Sequence, residues 1–146
     1  MSRVVIELPE RFIFRTELPV RVPDLNYGDH VGHDGLLRYA HEARMQLFVS
    51  KGFTELDISG IGIAVADVAA IYGREAKYGM VLVVEVAVTG LRTRACDLYY
   101  RLTRKDTGQE IARMKTGVVF LDYRTGKVAH MPEVFRAAFA DAPPSP

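Results

Sequence analysis

The sequence predicts an α+β domain in which a curved antiparallel sheet of five to six strands wraps around one long central helix. Three observations carry this reading. Residues 35–51 form the one long stretch in which apolar residues recur at helical spacing. Four segments after residue 60 carry strand patterning with no helical segment between them. The later segments are joined by short glycine-containing turns. One helix and a run of hairpin-linked strands leave a sheet with a single helix to cover, which is α+β architecture.

Taken in order, residues 12–22, FIFRTELPVRV, set Phe12, Phe14, Thr16, Leu18, Val20 and Val22 on one face of a strand. Pro19 has no ladder donor, so this strand is assigned to an edge or a bulge. In the helix, Leu36, Ala40, Ala43 and Leu47 fall within a sector of about 60°, flanked by Leu37 and Phe48. Asp34 is the expected N-cap and Gly52 the expected C′ residue. His41 and Glu42 lie off the stripe and are expected to make surface polar contacts.

Strands are expected at 61–72, 81–90, 95–105 and 109–122, with turns at KDTG (105–108) and YRTG (123–126). Residues 132–140, PEVFRAAFA, read as a short terminal helix opened by proline. The whole is one domain at 1–140, followed by a disordered tail, DAPPSP, at 141–146. The segment 81–90 is apolar on both faces: Leu82, Val84, Val86 and Val88 on one, Val81, Val83 and Ala87 on the other. One helix covers only one of them, so a homodimer or a dimer of dimers is expected to cover the other.

Composition narrows the function class. The 146 residues are 49% apolar and 25% charged with a net charge of +1, which calls for no nucleic-acid partner. The single cysteine, Cys96, rules out an internal disulfide framework and fits a reducing compartment. Glu7, Pro9 and Glu10 interrupt the region where a secretory leader would be apolar, and no run of about 18 apolar residues predicts a membrane span. The expected location is the cytoplasm.

The chemistry concentrates in DLNYGDHVGHD, residues 24–34, which holds three Asp, one Asn, two Gly and two His directly before the helix. A helix N-terminus offers unpaired amides and partial positive charge, a place to hold a carbonyl oxygen as charge builds on it. Glycine lets a ligand approach the backbone, and Gly32, His33, Asp34 and Gly35 sit where those amides should be. Asp24 reads as a turn-closing carboxylate or a substrate contact, and Asp29 as an exposed loop carboxylate or a base. Tyr27 would line a pocket or pack against the helix. His30 and His33 lack an obvious third ligand, so no metal is expected.

This loop and helix resemble the hotdog-fold thioesterases, in particular the 4-hydroxybenzoyl-CoA thioesterase-like acyl-CoA hydrolases. The matching residues are DLN (24–26), HVGHDG (30–35) and LLRYAHEAR (36–44), in a register without gaps. YGREAKYG (72–79) and YRTGKVAHMPE (123–133) are similar to the family's later loop and close, so the resemblance covers about residues 12–135. It implies a hotdog fold and hydrolysis of an acyl-CoA thioester. No metal or redox cofactor is implied, coenzyme A being part of the substrate. It also implies two subunits paired edge to edge with a shared site.

The family's catalytic aspartate falls on Asn26, and an amide cannot act as a general base or carboxylate nucleophile. On this resemblance Asn26 orients water or the thioester carbonyl, His30 or Asp29 serves as base, and the His33 N–H stabilises the oxyanion. Asp24, Tyr27, Gly32, Asp34 and Tyr72 contact substrate. Tyr39, Phe48, Phe53 and Tyr72 line an acyl pocket or pack in the core. Solvated strand faces explain most of Arg92, Arg94, Arg101, Arg104, Lys105, Arg113 and Lys115, and a few are expected to bind coenzyme A phosphates. Asp67 either reaches a partner's site or marks an edge or bulge. Two other readings stay open: a non-catalytic domain that binds acyl-CoA or another apolar ligand, and a hotdog enoyl-CoA hydratase or dehydratase.

Overall fold

The computed structural model describes residues 3–146. In chain order the elements are β1 (Phe14–Pro19), α1 (His33–Ser50), β2 (Gly62–Tyr72), β3 (Val81–Thr89), β4 (Ala95–Arg104), β5 (Glu110–Asp122), β6 (Lys127–Val128) and α2 (Glu133–Ala138), with a 3-10 turn at Val22–Asp24. The strands form one curved antiparallel sheet in the order β1-β3-β4-β5-β2, with β6 paired to β5 past the YRTG turn. β1 and β2 are therefore its edges. Pro19 stands at the last rung of edge strand β1, where its missing N–H costs no central ladder bond.

The helix starts at His33, two residues before the start expected at 35. Gly32, at φ −71° and ψ 165°, is the N-cap, and no side chain caps the helix. Asp34 is thus not the cap expected of it: it is the second helical residue, and its Oδ2 accepts from Arg38 one turn on at 3.3 Å. At the other end Gly52 takes φ +81°, the left-handed C′ position. Leu36, Ala40, Ala43, Leu47 and Phe48 are buried against Leu82, Val84, Val86, Val88, Leu98 and Met114 of the concave sheet face. α2 plugs one end, with Phe135 edge-on to Phe48 and Phe120 at 5.8 and 5.0 Å between centroids. Inside this core Arg44 is buried yet satisfied: it donates to Glu55 at 2.8 Å and to the Tyr100 hydroxyl at 3.1 Å, and Tyr100 pairs with Thr116 at 2.8 Å. Glu55 also meets His41 at 3.1 Å, and Glu42 accepts from Gln46 at 2.9 Å.

The second apolar face of β3 was expected to need another subunit, and the chain covers it itself. Ile6, Ala87 and Tyr99 form a buried cluster with Leu8, Phe12, Ala69 and Ile71, so the N-terminal segment lies across the outer face. Arg113 donates to the Ile6 carbonyl at 2.9 Å, and Arg101 stacks over Phe12 at 4.9 Å.

Residues 141–146, expected to be disordered, are likewise held. Gly90 N–H donates to the Pro143 carbonyl at 2.8 Å, and Ser145 Oγ bonds Asp97 at 2.6 Å and Thr89 at 2.9 Å. The proline-rich tail needs no helix or strand of its own, because these few contacts on the sheet fix it.

Asp67 marks a bulge. The β2–β5 register shifts between Val65 and Asp67, and the carboxylate accepts from Gly117 N–H at 3.0 Å and Lys115 at 2.8 Å. Gly117 has to be small here, since a β-carbon would lie 2.7 Å from that carboxylate.

Candidate functional site

The loop after β1 is braced before it reaches the helix. Asp24 accepts from the Arg21 amide at 2.8 Å, from the Arg21 guanidinium at 3.2 Å and from the Tyr39 hydroxyl at 2.9 Å. Burial alone would raise the Asp24 carboxyl, but these donors outweigh it and hold it below the ordinary carboxylate range. Burial and the Asp24 charge together push the Tyr39 phenol up. Asp24 is therefore engaged as a turn brace, and it faces Arg21 and α1.

A bridge between Leu25 and Val31 pinches the loop, and Asn26 N–H donates to the His30 carbonyl at 2.8 Å. Inside this pinch the Asn26 Oδ1 accepts the amides of Gly28 at 2.8 Å and His30 at 3.4 Å. Two donors on one oxygen fix which way the amide is turned, so Nδ2 faces the helix start. The crowding there is measurable: a β-carbon on Gly32 would lie 3.3 Å from Asn26 Nδ2 and 2.7 Å from Asp34 Oδ1. Gly32 is the floor between an amide donor and a carboxylate.

The first helical bond runs from Leu36 N–H to the Gly32 carbonyl at 3.0 Å, so the amides of His33, Asp34 and Gly35 have no intrahelical acceptor. Tyr72, at the end of β2, closes one side. Its hydroxyl donates to the His33 carbonyl at 3.3 Å, and the two rings meet edge to face at 6.1 Å. Partial burial raises the Tyr72 phenol, and the nearby Asp34 charge adds to it.

On the other side, His30 Nδ1 lies 3.0 Å from the Val31 carbonyl. The proton of a neutral ring is therefore on Nδ1, and Nε2 faces Glu75 at 3.8 Å. Val31 N–H donates to the Ala76 carbonyl at 2.8 Å, which ties the 73–80 segment to the loop.

The structure thus brings Asn26, Gly32, His33, Asp34 and Tyr72 together, with His30 adjacent. Asp29 sits at φ 64° with its carboxylate exposed and unpartnered among the described residues. Tyr27 is fully exposed and does not pack on the helix. Asn26 to Asp29 are all exposed, and Asn26 differs from Tyr27 in having its side-chain oxygen tied to the Gly28 and His30 amides. Tyr39 and Phe48 are core residues, while Phe53 stacks on Phe135 at 6.1 Å.

Glu75 is a site residue that the sequence does not single out. Its only signal there is a charged cluster between two strands. The seven basic residues considered for phosphate binding are all engaged inside the chain. Arg92 pairs with Asp97, Arg101 with Glu85, Arg104 with Asp106, Lys105 with Glu17, Arg113 with Glu110 and Lys115 with Asp67, and Arg94 meets His130 at 3.1 Å. Arg101 and Lys115 meet acids on neighbouring strands, whereas Arg92, Arg104 and Arg113 pair with acids two to five residues away in sequence.

Among the described residues no group of three His, Cys, Asp or Glu side chains is arranged to hold a metal ion. No helix of the described residues is long and apolar enough to cross a membrane.

Comparison with known proteins agrees with this layout. The thioesterase-like superfamily model matches residues 20–139. Slr0204, a 1,4-dihydroxy-2-naphthoyl-CoA thioesterase from Synechocystis, superposes with a TM-score of 0.81 at 21% identity, covering 88% of this chain and 96% of that one. The DHNA-CoA thioesterase from Staphylococcus aureus gives 0.74 at 18% identity over 88% and 84%. No curated protein sequence matches. At these identities the structures establish the fold, and the family match covers most of the sequence: the chain belongs to the thioesterase-like superfamily and has the hotdog fold.

Proposed function

We propose that the protein is an acyl-CoA thioesterase, hydrolysing a coenzyme A-type thioester without a metal or redox cofactor in a reducing, cytoplasmic setting. One observation carries this reading: the Asn26 amide is pinned by two backbone donors so that Nδ2 lies beside Gly32, the N-cap of the helix whose first amides have no intrahelical acceptor. A thioester carbonyl seated there meets the His33 N–H and Asn26 Nδ2, with the helix partial charge behind them. One such donor is worth about 3–4 kcal/mol in the transition state. Tyr72 bounds the acyl side. Asp29 and His30, the bases expected from the loop, flank Asn26 on its far side.

The reading includes a homodimer. β2 is a long edge strand with Val65, Val68 and Tyr72 exposed, and pairing with a second copy would cover it. A dimer of dimers would use surfaces other than the apolar patch that the N-terminal segment already covers.

The test is hydrolysis of a panel of acyl-CoAs by wild type and by Asn26→Ala, Asp29→Ala and His30→Ala. Asn26→Ala is expected to lower kcat/KM by about 10²-fold. A folded wild type that releases no thiol from any member defeats the enzyme reading. The amide at position 26 favours one alternative, a domain that holds acyl-CoA without turnover. It predicts ligand-induced thermal stabilisation with no product.

A further inference from the structure

We infer that Asp34 is the general base of this site, doing from the first turn of α1 the work that Asn26 cannot. The inference rests on the thioesterase reading and specifies its proton transfer. Helix side chains tilt toward the N-terminus, and Asp34 accordingly leans back over Gly32. Its Oδ2 is taken by Arg38 at 3.3 Å, while Oδ1 stands over Gly32 beside Asn26 Nδ2. That leaves Oδ1 without a hydrogen-bond partner among the described residues, beside Gly32 at the helix start and open to solvent. The groups around it are Arg38 one turn on, Asn26 across Gly32, and Tyr72 of β2, whose phenol feels the Asp34 charge.

The rival bases are less well disposed. Asp29 is held in a left-handed turn and, unlike Asp34, does not border Gly32 at the helix start. The basic nitrogen of His30 is Nε2, and it faces the Glu75 carboxylate at 3.8 Å instead of the helix start.

The step balances without any further reagent. A water oxygen bonds to the thioester carbonyl carbon as Asp34 Oδ1 takes one of its protons, and the carbonyl electron pair moves onto the oxygen facing the His33 N–H. Collapse re-forms the C=O bond and breaks C–S, and the departing thiolate recovers the proton from Asp34. The products are a carboxylic acid and a thiol, and nothing is oxidised.

The experiment compares wild type, Asp34→Asn and Asp34→Glu on a thioester that the wild type cleaves, with thermal melts to confirm folding. Asp34→Asn should lower kcat by about 10²–10⁴-fold with KM little changed, and Asp34→Glu should recover part of it. Hydroxylamine, a nucleophile that needs no base at neutral pH, should restore thioester cleavage by Asp34→Asn as the hydroxamate, because the carbonyl-holding donors remain. An Asp34→Asn variant within a few-fold of wild type overturns the inference. So does one that loses hydroxamate formation along with hydrolysis, since that loss marks a positioning role. A wild type inactive on every thioester defeats the thioesterase reading and the base with it, whereas an active wild type with an unimpaired Asp34→Asn defeats the base alone.

Discussion

The guanidinium of Arg44 reaches from the middle of the central helix to the hydroxyl of Tyr100 on β4, 3.1 Å away in the core. A charge this deep holds only while its partners stay, and those are Tyr100 and Glu55. Tyr100→Phe removes one acceptor from Arg44 and the partner of the Thr116 hydroxyl, and should cost about 1–3 kcal/mol. Urea unfolding checks this: the midpoint should fall with the slope unchanged.

Gly32→Ala separates site geometry from stability. The backbone at φ −71° accepts alanine, so the cost in stability should stay at or below about 1 kcal/mol. The new β-carbon would press on Asp34 Oδ1 and Asn26 Nδ2 together. Thioester hydrolysis should fall at least tenfold, about 1.4 kcal/mol in kcat/KM, while the melting temperature moves little.

Acid stability should depend on Asp97. Burial alone would raise its carboxyl, but Arg92, Ser145 and Lys115 outweigh that and hold it below the ordinary range. A carboxyl depressed in the folded state contributes stability above its unfolded value, about 3.9, and loses it as pH falls through the folded value. Asp97→Asn should therefore be less stable than wild type at pH 7, with the gap closing below about pH 4. Thermal melts across pH test this.

Cys96 should be inert in the native protein. It is fully buried in β4, and burial, with the Asp97 charge adding to it, pushes its thiol up to about 12. A thiol reagent at neutral pH should label the chain only after denaturant unfolds it. Rapid native labelling would contradict the packing around β4.

Much of this fold is written locally. The alternation Cys96, Leu98, Tyr100, Leu102 and the stripe Leu36, Ala40, Ala43, Leu47 each report a buried face that one element presents by itself. What stays hidden in the sequence depends on distant partners. Ile6 and Phe12 do not announce that they will lie on Ala87 and Tyr99, and DAPPSP gives no sign that Ser145 will reach Asp97. The site divides in the same way. Its polar loop is plain in the letters, but Asp34 passes for a helix cap until Gly32 is seen to take that place. Glu75, forty-odd residues away in the chain, meets His30 only through the Val31–Ala76 hydrogen bond.

The N-terminal segment and the C-terminal tail lie on the same outer face, where Val5, Ile6, Glu7 and Pro146 border a single hollow with Tyr99 and Lys115. Both segments thus seal the same stretch of the outer sheet face, so that loosening either the contact at Val5–Glu7 or the one at Pro146 should expose the surface around Tyr99 and Lys115 to solvent.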